Sequence, residues 1–425
     1  MMDDTKTNDR LSTFLDSGIY RFESSNAVFI DPVRMLNSSY ARFRVSPSTY
    51  YSRFFDPKRA DQGRDETKLP SSSKKRKRKV KRSHSLNERE RAADQRHVQV
   101  RPMLMKALEF LMAATDLLAI MRDLRSDFCS SQRREVPLPG SEQSFIELGR
   151  IWQAPLYEIT LKFPHHHEPS KDADTLPDQC SWRRILPVFN NLVVNETCDD
   201  VEAEFLNGKY VLPRQSCFYM SDLGQIRNLI PDESDCGFNL IVVDPPWENA
   251  SASQKLLYPT LPNRYFLSLP IKQLTHTDGA LVALWVTNRE KLRDFVEKEL
   301  FPTWGVNYAA SFYWLKVKAD GSLITDLDLF HHRPYECLLL GYCRREGTNS
   351  EQMSSWRAIE HNEIIISIPG DYSRKPPIGE LLLEHVPGPK PVRCIELFAR
   401  EMIGGWTSWG NEPLRFQGLN YFIER

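Results

Sequence analysis

The sequence lacks several features that would assign it to a common protein class at once. Its eight cysteines include no C-x-x-C pair, which argues against a zinc ribbon or a disulfide framework and is typical of a reducing compartment. Its 56 lysines and arginines equal its 56 aspartates and glutamates, so any attraction to nucleic acid must come from local patches. The first residues are acidic and polar, and they predict no secretory signal peptide.

Long apolar runs and metal-ligand clusters are also scarce. The longest apolar stretch, residues 103–121, is interrupted by Lys106, Glu109 and Asp116, so we expect a buried helix rather than a membrane span. Three consecutive histidines at 165–167 could suggest a metal, but we find no acidic or cysteine partner at a suitable spacing nearby. We therefore expect a solvated loop there and no bound metal.

The composition divides the 425 residues into four regions. Residues 1–57 combine aromatic and β-branched residues with turn signals, which predicts an N-terminal extension with short strands that packs on something else. Residues 58–97 contain almost no apolar residues and predict a disordered linker. Residues 98–200 predict a mainly helical middle domain, for which no function is recognisable. Residues 201–425 alternate strand and helix patterns and form the fourth region.

A basic segment lies inside the linker. From 74 to 82 the only uncharged residue is Val80, and such a block repels itself and does not fold alone. It is typical of a nuclear-import signal or of a nucleic-acid-binding arm, and a solvated linker is the alternative. We favour import, which predicts a nuclear protein that binds the import machinery.

The fourth region predicts an α/β fold, in which a mostly parallel sheet is covered by helices on both faces. Strands are predicted at 217–220, 238–243, 280–286, 310–317, 336–342, 364–368 and 394–397, and helices near 263–275, 289–300 and 376–385.

The most informative motif is the tetrad Asp244-Pro245-Pro246-Trp247, which follows the predicted strand 238–243 directly. Ligands of open α/β sheets bind at the carboxyl ends of the strands. An adenine amino group carries two hydrogens and needs two acceptors, which the Asp244 carboxylate and the Pro245 carbonyl can supply. The prolines stiffen the loop, and Trp247 can stack on the base, which is typically worth about 1–3 kcal/mol.

These residues predict a site that holds an adenine amino group for attack on an electrophilic methyl carbon, for which the sulfonium of S-adenosylmethionine is the obvious donor. The alternative is a rigid turn with Trp247 in the core.

Together with the segments 284–288, 312–316, 332–336 and 395–400, the tetrad resembles the MT-A70 family of adenine-N6 methyltransferases over residues 215–425. The resemblance implies a Rossmann-like methyltransferase sheet, with S-adenosylmethionine as donor and S-adenosylhomocysteine as product. The length, the basic linker and the N-terminal extension resemble plant members of the methyltransferase-like protein four branch. That branch implies methylation of an internal 2′-O-methyladenosine in U2 small nuclear RNA.

Two other functions stay open. DNA adenine methylation is possible because the base edge is the same in both polymers, and only the 2′ oxygen distinguishes RNA. A non-catalytic nucleic-acid-binding scaffold is the alternative of another class, although such a subunit need not keep the acid and the aromatic residue of the tetrad. We expect a monomer, because the N-terminal half could supply the support that a partner supplies in heterodimeric relatives.

The resemblance also implies residue roles. Asp222 and Leu223 resemble the pair that holds the donor's adenine, and Lys375 resembles the lysine that binds its methionine carboxylate. Asp244 resembles the residue that binds the acceptor amine and lies near the donor's amino group. Arg400 and Asn411 resemble the groups that bind the ribose, although Glu412 replaces a glutamine of the heterodimeric catalytic subunit and Met402-Ile403 replaces His-Asn. The residues implied for the acceptor base are Trp247, Tyr258, Arg333 and Glu336.

Each of these roles has a structural alternative. Asp222 could cap a helix, Lys375 could be a solvated loop residue, and Arg400 could be one half of a structural ion pair.

Overall fold

The structure, a computed structural model, describes residues 2–53, 87–126, 144–163, 182–232, 236–248, 260–330, 332–345, 359, 362–371 and 373–425. The predictions for Tyr258, for the histidines at 165–167 and for the basic segment at 74–82 lie outside the described residues.

The described residues form seventeen strands and ten α-helices, with short 3₁₀ turns between them. The strands are β1 Ile19–Arg21, β2 Ala27–Ile30, β3 Phe43–Val45, β4 Glu158–Lys162, β5 Arg183–Pro187, β6 Leu192–Asn195, β7 Val201–Phe205, β8 Gly208–Leu212, β9 Ser216–Met220, β10 Leu240–Val243, β11 Ala280–Val286, β12 Val306–Lys316, β13 Tyr335–Cys343, β14 Ile364–Ser367, β15 Cys394–Leu397, β16 Trp406–Gly410 and β17 Phe422–Glu424. The helices are α1 Met2–Ser17, α2 Pro32–Asn37, α3 Pro47–Tyr50, α4 Glu88–Ala113, α5 Thr115–Asp123, α6 Phe145–Arg150, α7 Ile271–Leu274, α8 Glu290–Phe295, α9 Phe301–Trp304 and α10 Gly379–Leu382; a π-helical turn, Val296–Leu300, joins α8 to α9.

An eleven-stranded mixed sheet dominates the fold, in the order β1-β2-β14-β12-β13-β11-β10-β15-β16-β9-β6. Strand β10 pairs in parallel with β11 on one side and with β15 on the other. All four residues of β10 are buried, as expected for an apolar strand at the centre of a parallel sheet. The predicted α/β fold with a Rossmann-like sheet is thus confirmed, and the strands predicted at 280–286 and 394–397 are found with the same bounds.

Strand β16 was not predicted. Its sequence, Trp-Thr-Ser-Trp-Gly, contains two hydroxyl residues and a glycine, so it lacks the apolar run that marks a buried strand. It forms because β15 and β9 flank it in parallel on both sides.

The N-terminal extension packs on the main sheet and lengthens it. Strand β2 pairs in parallel with β14, and the Asp200 carboxylate accepts hydrogen bonds from the backbone N–H groups of Ala41, Arg42 and Phe43 at 2.7–3.0 Å. The extension is therefore part of the core rather than a separate module.

The end of the predicted linker is helical. Helix α4 begins after Asn87, whose side chain accepts from the backbone N–H of Glu90 while the Glu90 carboxylate accepts from that of Asn87. This reciprocal capping box stabilises a helix start. Low apolar content predicted disorder for residues 87–97, but an exposed helix end needs few apolar residues.

The region 98–200 contains strands as well as helices. Helices α4 and α5 are followed by the antiparallel sheet β5-β4-β7-β8, so strands lie in a region for which we expected mainly helices. Strand β4 alternates buried and less buried residues, which is the period of a strand. This four-stranded sheet, which we call the second sheet, continues to Leu212. It therefore extends past the predicted boundary at residue 201.

Within the described ranges, no helix is both long enough and apolar enough to cross a membrane.

Candidate active site

The tetrad lies where the central strand of the sheet ends. The backbone N–H of Asp244 still donates to the carbonyl of Leu397 at 3.2 Å, so the sheet fixes the start of the loop. The Pro245 carbonyl accepts from the N–H of Trp247 at 2.7 Å. Because a carbonyl oxygen has two lone pairs, this bond leaves capacity for one further donor.

A charged cluster surrounds the Asp244 carboxylate. The ammonium of Lys375 lies 3.1 Å from a carboxylate oxygen of Asp244 and 3.3 Å from one of Glu336. Lys316 forms a second ion pair with Glu336. Residue 336 on β13 lies opposite Trp314 on β12, and alternation along the strand places Lys316 on the same face. Two acids and two lysines therefore balance each other in a mostly buried cluster.

Burial and ion pairing shift the pKa values of these groups in opposite directions. Burial raises the pKa of Asp244, and Lys375 opposes that shift without cancelling it. Burial would also raise the pKa of Glu336, but Lys316 and Lys375 together hold that pKa at about 2. Burial lowers the pKa of Lys375, but Asp244 and Glu336 raise it above its usual value. Lys375 and Glu336 are thus fixed as ions at neutral pH, and Lys375 is not a solvated loop residue.

Glu396 lies one strand away, on β15, where it is opposite Val242 of β10. Burial and the nearby carboxylates of Asp244 and Glu401 raise its pKa to about 8. This carboxyl group is therefore mostly neutral at pH 7.

Trp247 belongs both to the core and to the site. Its side chain is only 6% exposed, its Nε1–H donates to the carbonyl of Trp285 at 2.8 Å, and its ring meets that of Phe266 edge-on at 5.0 Å. The indole is therefore held in one orientation. Its proposed role in stacking on the base remains a prediction.

Two adjoining cavities open at this edge of the sheet. The first cavity, about 200 Å³, contains most of the predicted site. Its lining residues are Ile146, Asp244, Pro245, Pro246, Trp247, Glu248, Trp285, Val286, Thr287, Arg289, Glu336, Ser373, Lys375, Phe398, Arg400, Asn411 and Glu412.

The second cavity, about 410 Å³, contains the other predicted pair, Asp222 and Leu223. It shares Ile146, Pro246, Phe398 and Asn411 with the first cavity. Asp222 also caps the 3₁₀ turn Leu223–Leu229, since its carboxylate accepts from the N–H of Gly224 at 2.8 Å. Asp222 therefore caps a turn, which was the structural alternative, and it also lines the second cavity.

Arg400 and Glu412 face each other in the wall of the first cavity. Their ion pair has an N–O distance of 2.9 Å, and the Arg400 guanidinium lies over the ring of Phe416 at 5.1 Å. The pairing explains why a glutamate can replace glutamine at position 412: its charge is balanced by Arg400.

Arg333 is placed elsewhere. Its guanidinium donates to the carbonyl of Ala93 at 3.3 Å and to the Asp94 carboxylate at 3.2 Å, and its side chain is 4% exposed. It is not among the described residues that line either cavity. Its guanidinium ties helix α4 to the loop before β13, so the predicted contact with the acceptor base is not supported.

Sequence reasoning missed Lys316 and Ile146. The register of the β12–β13 pair places Lys316 diagonally across from Glu336, and that register is known only from the structure. No sequence signal connects Ile146 to a tetrad almost a hundred residues away. Among the residues that the structure describes, no group of histidine, cysteine, aspartate and glutamate side chains could hold a metal ion.

Comparison with known proteins agrees with this architecture. The MT-A70 family model matches residues 238–412. The N(6)-adenine-specific methyltransferase METTL4 of Mus musculus is 37% identical over 244 residues, which cover 56% of this chain and 50% of that protein. The METTL4 of Homo sapiens is 32% identical over 318 residues, covering 68% of this chain and 66% of that protein.

Two further relatives differ in the polymer that their names state. The N6-methyladenosine RNA methyltransferase MTA1 of Pyricularia oryzae is 33% identical over 237 residues, which cover 54% of this chain and 60% of that protein. A DNA N6-methyl methyltransferase of Caenorhabditis elegans is 31% identical over 220 residues, which cover 50% of this chain and 56% of that protein. The chain spans about half to two thirds of the length of these relatives. With the tetrad at the end of β10 and this matched region, the chain belongs to the MT-A70 family.

Proposed function

We propose that the protein transfers a methyl group from S-adenosylmethionine to N6 of adenine in RNA, and that its target is an internal 2′-O-methyladenosine of U2 small nuclear RNA. The observation that carries the reaction is the position of the Asp244 carboxylate, which is held at the end of β10 by the Lys375 ammonium at 3.1 Å. Adenine methylation is also what the names of the relatives state.

The chain's residues fit the donor. Lys375 has three N–H donors, and Asp244 and Glu336 account for two of them. The third can bind a carboxylate such as that of methionine. The second cavity offers Asp222 for an adenine amino group, and Asn411 lies where the two cavities meet. S-adenosylmethionine, when bound, supplies an electrophilic methyl carbon.

The acceptor amine is positioned by Asp244 and Pro245. The carboxylate accepts one hydrogen of the amine and the Pro245 carbonyl the other, which draws the nitrogen lone pair out of conjugation with the ring. The proline ring restricts φ, so both acceptors stay in place. Catalysis is then chiefly a matter of orientation, and Asp244 need not be a strong base because the methylated amine is acidic.

RNA is our choice of polymer, and DNA is the second candidate. The fungal relative is named for RNA and the nematode relative for DNA. The branch resemblance described above favours RNA. A labelled-donor assay on matched oligonucleotides that carry deoxyadenosine, adenosine or 2′-O-methyladenosine at one position separates the possibilities. We expect the 2′-O-methyladenosine oligonucleotide to be methylated fastest; preference for deoxyadenosine would favour DNA, and no transfer to any oligonucleotide would favour the scaffold.

We further propose that the protein acts in the nucleus and as a monomer. Residues 74–82 support the first proposal, and the pairing of β2 with β14 supports the second, because the chain itself supplies support for the catalytic sheet. Replacing the basic residues at 74–82 should exclude a fluorescent fusion from the nucleus. Light scattering during gel filtration should give a mass near 49.4 kDa.

A further inference from the structure

The helix α6 lies outside the residues that the family model matches, yet it reaches the site. The matched region begins at residue 238, whereas α6 spans Phe145–Arg150. Ile146 lines both cavities, and Phe145, Gly149 and Arg150 line the second. Ile146 is the one residue of the described N-terminal half that lines both.

The other three residues shared by the cavities form a rigid junction. Pro246 belongs to the stiff tetrad loop. Phe398 has a positive φ of 64°, and its ring meets those of Phe266 at 5.5 Å and Trp409 at 5.1 Å. Asn411 follows β16 directly. These three residues leave one side of the junction to be formed by Ile146.

Helix α6 packs against the second sheet. The ring of Phe145 stacks on that of Phe205 at 5.9 Å and meets that of Tyr210 at 5.8 Å. Leu148 is buried, with 6% exposure. Gly149 lies so close to Phe189 that a Cβ there would come within 3.1 Å of its ring. Ile146 is therefore presented to the cavities by a helix that the contacts of Phe145, Leu148 and Gly149 hold in place.

We propose that Ile146 is a further binding residue of the donor site, which closes an apolar collar with Pro246 and Phe398 around the middle of S-adenosylmethionine. The inference rests on the proposed function, because it assumes that the donor spans both cavities. A ligand that extends from Asp222 to Lys375 must pass the junction, where the collar packs on the ribose and the sulfonium carbons. The second sheet then serves the active site by holding this wall in place.

The test is calorimetric titration of the 425-residue chain with S-adenosylhomocysteine. Ile146→Trp fills the junction and should weaken binding at least tenfold. Ile146→Ala removes apolar contact area and should weaken it about three- to tenfold. Glu147→Ala is the matched control, because Glu147 is exposed on the same helix and lines neither cavity; it should bind within twofold of the wild type.

The thermal unfolding midpoint of each variant shows whether it folds. If Ile146→Trp does not fold, the affinity of Ile146→Ala for S-adenosylhomocysteine is the test. Binding within twofold of the wild type in a folded Ile146 variant overturns the inference and leaves the proposed function intact. A wild-type chain that does not bind S-adenosylhomocysteine overturns the proposed function itself. A supporting readout is the KM for S-adenosylmethionine, which should rise in Ile146→Ala while the KM for the oligonucleotide stays unchanged.

Discussion

Lys375 and Asp244 are joined by an ion pair of 3.1 Å at the carboxyl end of the central strand β10. The pair connects two functions, since the carboxylate faces the proposed acceptor amine and the ammonium faces the proposed donor carboxylate. Glu336 and Lys316 extend it to four charges that sum to zero. Removing one of these four side chains should therefore leave its partner without an opposite charge and change ligand binding or stability.

Lys375→Met should abolish most donor binding. It removes the third N–H donor and leaves Asp244 without its nearest cation, and a hydrogen bond to a charged group is worth about 1.5–3 kcal/mol. We expect S-adenosylhomocysteine to bind about 10- to 100-fold more weakly by calorimetry. Lys298→Met is the control, because Lys298 forms an exposed surface pair with Asp294. An unchanged affinity in Lys375→Met would remove Lys375 from the donor site.

Glu336→Gln should change the dependence of stability on pH. Because the pKa of Glu336 is lowered from 4.5 to about 2, its ionised form stabilises the fold above pH 4.5, and this stabilisation is lost as the pH falls toward 2. The shift corresponds to about 3 kcal/mol. The variant should be less stable than the wild type by an amount of that order at pH 7, with the difference shrinking between pH 4.5 and 2. Urea unfolding at several pH values measures it; a constant difference would contradict the ion-pair account.

Glu396→Gln should act in the opposite direction. The pKa of Glu396 is raised from 4.5 to about 8, so the protonated form is favoured in the fold, and the associated stability is fully present below pH 4.5 and is lost as the pH rises from 4.5 to 8. The glutamine variant has no proton to lose, so it should differ little from the wild type near pH 4.5 and should exceed its stability by about 3–5 kcal/mol near pH 9. Urea unfolding at those two pH values checks this, with the exposed Glu384→Gln as control.

Arg333→Met should lower stability without changing the acceptor KM. Its guanidinium is buried and holds Ala93 and Asp94 of helix α4, and a lost hydrogen bond of this kind costs about 1–3 kcal/mol. Thermal unfolding and oligonucleotide titration of the same sample separate the two effects. A raised KM at unchanged stability would restore Arg333 to the acceptor site.

The sequence predicted the parts of the fold that carry strong local patterns. The apolar runs of β10 and β11 identified buried strands, and the tetrad identified the edge where Asp244, Lys375 and Asn411 converge. Strand β16, with two hydroxyl residues and a glycine, has no such pattern and depends on its neighbours. The contributions of Ile146 and Lys316 arise from tertiary packing and strand register, which a single sequence does not encode locally.

In the proposed reaction, Asp244 positions the adenine amino group for methyl transfer. This role is tested most directly by the rate at which labelled methyl appears on N6 of adenosine, after digestion of the oligonucleotide to nucleosides, for the wild type and for Asp244→Asn. The account predicts N6-methyladenosine with the wild type and a rate at least about 100-fold lower with the variant, while S-adenosylhomocysteine binding and the unfolding midpoint show that the variant is folded. Transfer by a folded Asp244→Asn variant at the wild-type rate would contradict the account.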